Sequence, residues 1–203
     1  MKEPTAPTLR KSLFRRREPF AFMLGLGIIG IGLMFLAFLL VYLIRKSGDD
    51  WGSFELPKVF NLSTAVILAS SFTLHYANVY VRKDNFRAFR LMLGSTLVLG
   101  GLFCFLQILG WMQLQNQGIY LKSIVSAGFL YVISGIHLLH IAGGLVFLAF
   151  AFGQALRHAA YIDSFVYHVN PPNQLKLQLI TRYWHFVDGL WLFLFLFFLY
   201  QHS

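Results

Sequence analysis

Five long stretches of this chain carry almost no charge, and short polar segments rich in arginine and lysine separate them. They run over about 20–44, 59–81, 91–114, 124–156 and 183–200. A hydrocarbon layer of roughly 30 Å takes about 20 helical residues to cross, so each stretch is read as one crossing. Backbone facing lipid has to satisfy its hydrogen bonds within its own segment, which makes the crossings helices. The pattern thus predicts an all-α membrane protein, a bundle of five transmembrane helices over 19–203 behind a polar tail at 1–18. The fourth stretch exceeds the need of one crossing and is expected to tilt, or to extend out of the membrane before Arg157. The linkers are short except 157–182, read as a loop containing Tyr161, Asp163, His168 and the pair Pro171–Pro172. No internal repeat or low-complexity tract breaks the pattern.

Composition supports this reading. Of 203 residues, 57% are hydrophobic and 12% charged, far too apolar for a soluble domain of this length. The net charge of +9 does not point to nucleic acid, because the basic residues cluster at the ends of apolar runs, where topology and anionic lipid account for them. The tail holds six of the 17 lysines and arginines (Lys2, Arg10, Lys11, Arg15, Arg16, Arg17). The 82–90 hairpin holds Arg82, Lys83, Arg87 and Arg90, and 157–182 holds Arg157, Lys176 and Arg182. The opposite side has Arg45, Lys46, Lys58 and Lys122, three of them in a loop with Asp49, Asp50 and Glu55. The positive-inside rule therefore predicts a cytoplasmic N-terminus and an external C-terminus. The first apolar run is too long for a cleavable signal peptide and no small-residue cleavage site follows it. A single cysteine, Cys104, excludes a disulfide framework and a thiolate metal site.

The candidate chemistry is sparse. Gly25, Gly27 and Gly30 match the spacing of a dinucleotide-binding loop, but they lie within a membrane span with no strand before them. Together with Gly32, Gly94, Gly100, Gly101, Gly143 and Gly144 they read as small-residue surfaces for close helix approach. His137 and His140 lie in the fourth span, and His75 and His185 are the other span histidines. Two histidines three residues apart can share a metal or offer a haem ligand, which requires further ligands at the same depth. The competing reading is hydrogen bonding to neighbouring helices, with Asp188, Gln107 or Ser134 as partners. Asp188 is the only acidic residue inside a span, and it shares a helix face with His185. A carboxylate in the bilayer demands a polar partner, so His185 and Asp188 are either a fixed pair or part of a proton relay. Tyr183 and Trp184 suit the headgroup level.

The segment Tyr183-Trp184-His185-Phe186-Val187-Asp188, followed by Trp191-Leu192-Phe193, resembles the C-terminal signature of subunit III of the haem–copper oxidases. Gly135-Ile136-His137-Leu138-Leu139-His140 is similar to that family's Gly-aromatic-His-x-x-His segment. The run Asn61 to Ser71 resembles its Asn-Thr-x-x-Leu-x-x-Ser helix, and Phe105-Leu106-Gln107 its glutamine-bearing helix. The matches lie in the family's order over about 20–200 and resemble the five-helix bacterial form. This resemblance implies an accessory, cofactor-free subunit of a proton-pumping cytochrome c oxidase in the bacterial inner membrane. It would pack on subunit I beside the other oxidase subunits, bind phospholipid, and support oxygen access and proton uptake. Haem and copper would lie in the partner subunits, and a respiratory supercomplex is compatible with that role. Carried over residue by residue, His137, His140, His185, Asp188 and Gln107 would form the structural polar core, with Trp184 and Trp191 beside it. Arg157, Arg82, Arg87, Tyr183, Trp184 and Trp191 form the lipid and interface set. Two departures stand out: no glutamate occurs near Gly27 to Gly32, and Gly110 stands where relatives carry a glutamate. Proton movement through those carboxylates is unsupported here.

The rival readings are the equivalent subunit of a quinol oxidase or nitric oxide reductase and, from another class, a small membrane transporter. A transporter would require a continuous polar lining or an internal repeat, and the spans have neither. A membrane cytochrome is a third possibility, and an absorption spectrum of the chain would decide it.

Overall fold

The computed structural model describes residues 18–48, 51, 52, 54–157 and 171–202. It contains α1 (Glu18–Arg45), α2 (Val59–Arg82), α3 (Phe86–Asn116), α4 (Val125–Arg157) and α5 (Pro171–His202). All five are long and apolar enough to cross a membrane. The tail, and with it Arg10 to Arg17, lies outside the described residues, as do Tyr161, Asp163 and His168.

The polar punctuation acts where the pattern placed it. Between α2 and α3 the chain reverses in three residues. Asp84 takes φ 55°, a left-handed conformation that aspartate tolerates, and the Asn85 side chain caps α3 by accepting from the Ala88 N–H at 3.2 Å. After α3, Gly118 at φ 78° lets the Ile119 N–H turn back onto the Leu114 carbonyl at 3.0 Å.

α2 packs on α3, α3 on α4, α4 on α5 and α5 back on α2, closing a four-helix ring. α1 lies outside that ring, against α4 and α5. Each ring helix turns one stripe inward at helical spacing. On α3 the stripe is Leu93, Thr96, Gly100, Phe103, Gln107, Gly110 and Leu114; on α5 it is Trp184, Asp188, Trp191, Phe195 and Phe198. The glycines on these stripes permit close approach. A methyl group at Gly100 would come within 2.8 Å of Leu145 and Trp184, and one at Gly110 would overlap the Phe60 ring.

Two expectations change. α5 begins at Pro171, so the second half of the presumed 157–182 loop is helix, carrying Lys176 and Arg182. Two prolines can start a helix because its first N–H groups have no intrahelical acceptor. Gly25, Gly27, Gly30 and Gly32 serve no helix approach among the described residues, since a methyl group at any of them meets nothing within 4 Å. Open space likewise surrounds Gly101 and Gly143. α1 touches the ring only through its second half, where Phe35, Leu39 and Tyr42 are buried.

Candidate functional site

Five hydroxyls inside the bundle obey one repeated rule. A serine or threonine hydroxyl donates to a carbonyl one turn back in its own helix and accepts an N–H from the next helix. Ser63 donates to Phe60 O (3.0 Å) and accepts from Gln107 Nε2 (2.9 Å). Thr64 donates to Phe60 O (2.7 Å) and accepts from Trp191 Nε1 (3.0 Å). Ser70 donates to Ile67 O (2.7 Å) and accepts from Trp184 Nε1 (3.1 Å). On the other side of the bundle, Ser134 donates to Leu130 O (2.6 Å) and accepts from Trp111 Nε1 (3.1 Å). Thr181 does the same with Leu177 O (2.8 Å) and Asn78 Nδ2 (2.9 Å). A hydroxyl has one proton and two lone pairs, so this arrangement satisfies it without water.

Along the α2–α5 seam these bonds form a ladder: Asn78 to Thr181, Trp184 to Ser70, His185 to Ser71 and Trp191 to Thr64. His185 Nδ1 stands 2.6 Å from Ser71 Oγ. Asp188 is 2% exposed, and neither of its carboxylate oxygens makes a hydrogen bond. The Ser71 hydroxyl lies beside Asp188 and bonds His185. The expected bond from Asp188 to His185 or His140 therefore does not form.

The histidines diverge. His137 faces the ring interior, stacked on Trp191 with centroids 5.2 Å apart and edge-on to Phe35 and Phe103. Its ring nitrogens have no hydrogen-bond partner, and neither has Gln107 Oε1. His140 turns the other way: its Nδ1–H donates to Ile136 O of the same helix at 2.8 Å, and the Tyr183 hydroxyl donates to its carbonyl at 3.0 Å. Ser134 and Gln107 are thus committed elsewhere and bond no histidine. His75 lies exposed on α2. Among the described residues no three of His, Cys, Asp and Glu come together as a metal site.

Trp184 and Trp191, placed beside the polar core and also in the lipid and interface set, are 0% and 2% exposed inside the ring. Their indole N–H groups find acceptors on α2 rather than at the membrane surface. Tyr183 keeps an outward position. It lines a cleft of about 600 Å³ between α1, α4 and α5, with Leu24, Gly143, Phe147, Ile180 and Lys176. The cleft exists because the first half of α1 leaves the ring while α4 and α5 continue side by side. Arg82, Arg87 and Arg157 are exposed at the same end of the bundle.

The hydroxyl partners Ser63, Thr64, Ser70 and Ser71 were not singled out as site residues by sequence reasoning. Their signal was present: the two pairs recur seven residues apart, two turns along one face of α2.

A ring of apolar helices tied to one another by interior hydroxyls defines a multi-pass membrane protein. The sequence profile of the family described as cytochrome c oxidase subunit III matches residues 49–203. A cytochrome c oxidase subunit 3 from Bacillus sp. (strain PS3) is 28% identical over 197 residues, covering 95% of this chain and 89% of that protein. One from Thermostichus vulcanus is 28% identical over 164 residues, covering 81% and 76%. A probable quinol oxidase subunit 3 from Staphylococcus saprophyticus is 27% identical over 157 residues, covering 75% and 73%. The chain belongs to the cytochrome c oxidase subunit III family and is a subunit III of a haem–copper terminal oxidase.

Proposed function

We propose that this chain is the accessory, non-catalytic subunit of a proton-pumping cytochrome c oxidase in a bacterial inner membrane. It stabilises subunit I, binds phospholipid, and supports oxygen access and proton uptake. Haem and copper belong to its partners, subunit I and the other oxidase subunits. The tail is cytoplasmic and the C-terminus external, in accord with the basic residues at one end of the bundle. The observation that supports this reading is the set of interior hydroxyls that tie neighbouring helices together. Ser63, Thr64, Ser70, Thr181, His140 and His185 act as fasteners between or within helices. Such groups hold a shape rather than a reacting ligand. Gln107, His137 and Asp188 complete the structural core. The named relatives include both cytochrome c and quinol oxidase subunits, and the longer coverage of the Bacillus protein favours cytochrome c as donor.

The cleft between α1, α4 and α5 is assigned to phospholipid. Its walls are apolar, Lys176 supplies a cation, and Arg157 ends α4 nearby. A basic side chain near an anionic headgroup contributes on the order of 1 kcal/mol. The test compares the complex from wild-type cells with one carrying Gly143→Leu, which fills the cleft. Mass spectrometry of tightly held phospholipid is expected to show loss of at least one lipid per complex and faster inactivation during turnover. Unchanged lipid content and lifetime would contradict the assignment.

A further inference from the structure

α2 carries five serines and threonines. Four of them, Ser63, Thr64, Ser70 and Thr73, donate to a carbonyl one turn back in the helix. Ser71 makes no such bond. Its hydroxyl stands 2.6 Å from His185 Nδ1 on α5 and lies beside the Asp188 carboxyl. Both carboxyl oxygens of Asp188 are buried and bond nothing among the described residues. Leaving a buried polar atom unpaired is costly, so such atoms almost always find a partner.

The other donors around Asp188 are already committed. The Trp184 and Trp191 indoles, one turn to either side of it, donate to Ser70 and Thr64. Gln107 Nε2 donates to Ser63. On α4, His137 keeps unpartnered ring nitrogens, but the helix register carries it away. Side chains lean toward the N-terminus of their own helix. α4 and α5 run antiparallel, since Gly144 meets Trp184 while His137 stacks on Trp191. Asp188 therefore leans back toward Trp184, and His137, a turn further along the pair, leans the other way toward Ser134. α2 also runs antiparallel to α5, with Ser70 on Trp184 and Thr64 on Trp191. Ser71 leans toward Ile67, which is the level of Asp188. Hydroxyl and carboxyl thus approach each other.

We infer that the Ser71 hydroxyl joins His185 and Asp188 into one hydrogen-bonded chain, His185–Ser71–Asp188, across the α2–α5 seam. A hydroxyl has one proton and two lone pairs, so it donates to one neighbour while accepting from the other. The torsion that turns a carboxyl group is broad, so an Asp188 oxygen closes on Ser71 without leaving a rotamer well. The pair implied by the spacing of His185 and Asp188 is then real but indirect, with the serine between its members. Ser71 acts as a positioning residue. It sets Nδ1 as the inward nitrogen of His185 and holds the one acidic side chain of the spans in place. The inference deepens the reading of Asp188 as part of the structural core and rests on it.

The test uses the intact complex, purified through a tag on this chain and labelled with nitrogen-15 histidine. Solid-state NMR identifies the His185 and His137 ring signals by their loss in His185→Gln and His137→Gln. Asp188→Asn is expected to move the His185 Nδ1 signal, although the two side chains do not bond each other. In a Ser71→Ala background the same substitution is expected to leave that signal unmoved, and Ser71→Thr, which keeps the hydroxyl, is expected to preserve the response. A parallel cycle reads the half-time of heat-induced release of the chain. With Ser71 present, the effect of Asp188→Asn is expected to change at least about twofold when His185 is replaced, and with Ser71→Ala it is expected not to change. An unmoved His185 signal, a response that survives Ser71→Ala, or a response of His137 in its place would overturn the chain and leave the core reading intact. Loss of initial oxygen reduction in an assembled Asp188→Asn complex would overturn both, because Asp188 would then act in the chemistry.

Discussion

Ser70 carries more than its size suggests. Its hydroxyl answers the Ile67 carbonyl and the Trp184 indole together, inside a region with no solvent to replace either bond. Ser70→Ala leaves a buried N–H without an acceptor, which costs about 1–3 kcal/mol. Trp184→Phe removes the donor, and the double variant is expected to cost less than the sum of the singles. Heat-induced release of the chain from the complex measures this; strict additivity would mean the bond contributes nothing. Asp188 and His140 should behave in the opposite way. His140 is bound to its own helix, so Asp188→Ala and His140→Ala are expected to weaken retention additively. A coupling well above 0.5 kcal/mol in the same assay would require a direct contact. Glycines separate just as cleanly. Gly110→Ala drives a methyl into Phe60 and should destabilise the α2–α3 pair by about 1–3 kcal/mol. Gly101→Ala meets nothing and should leave stability equal or higher.

At the scale of helices, hydrophobic runs located the five crossings but not their ends or their partners. Run length reveals apolar residues and nothing of a helix that continues through polar ones, as α5 does over Pro171–Arg182. The four glycines of α1 matched a packing surface in composition, yet packing depends on which helix lies opposite, and among the described residues none does. For Trp184 and Trp191 a headgroup position and a place beside the polar core were both on offer, and the serine and threonine stripe on α2 decides for the core. His185 and Asp188 do share a face, as their spacing implied, but Ser71 takes the histidine. Because the first half of α1 is unsupported by the ring, Gly27→Ala and Gly30→Ala are expected to leave retention and activity within error of wild type. A marked loss would mean that a partner subunit lies against those glycines.

For the molecule as a whole, a closed ring with a separate α1 gives two different outer surfaces. One is the cleft between α1, α4 and α5, apolar with a cation beside it; the other is the polar seam of α2 and α5. With lipid held in that cleft, as proposed, the subunit would lengthen the working life of a complex without touching its chemistry. The measurement that tests this most directly is oxygen consumption by the same oxidase with and without this chain, followed from the first turnovers to inactivation. The expected result is an unchanged haem spectrum and a similar initial rate, with a much shorter active lifetime when the chain is absent. Loss of the initial rate from a complex whose haem spectrum is intact would contradict the account, because this chain would then take part in the reaction itself.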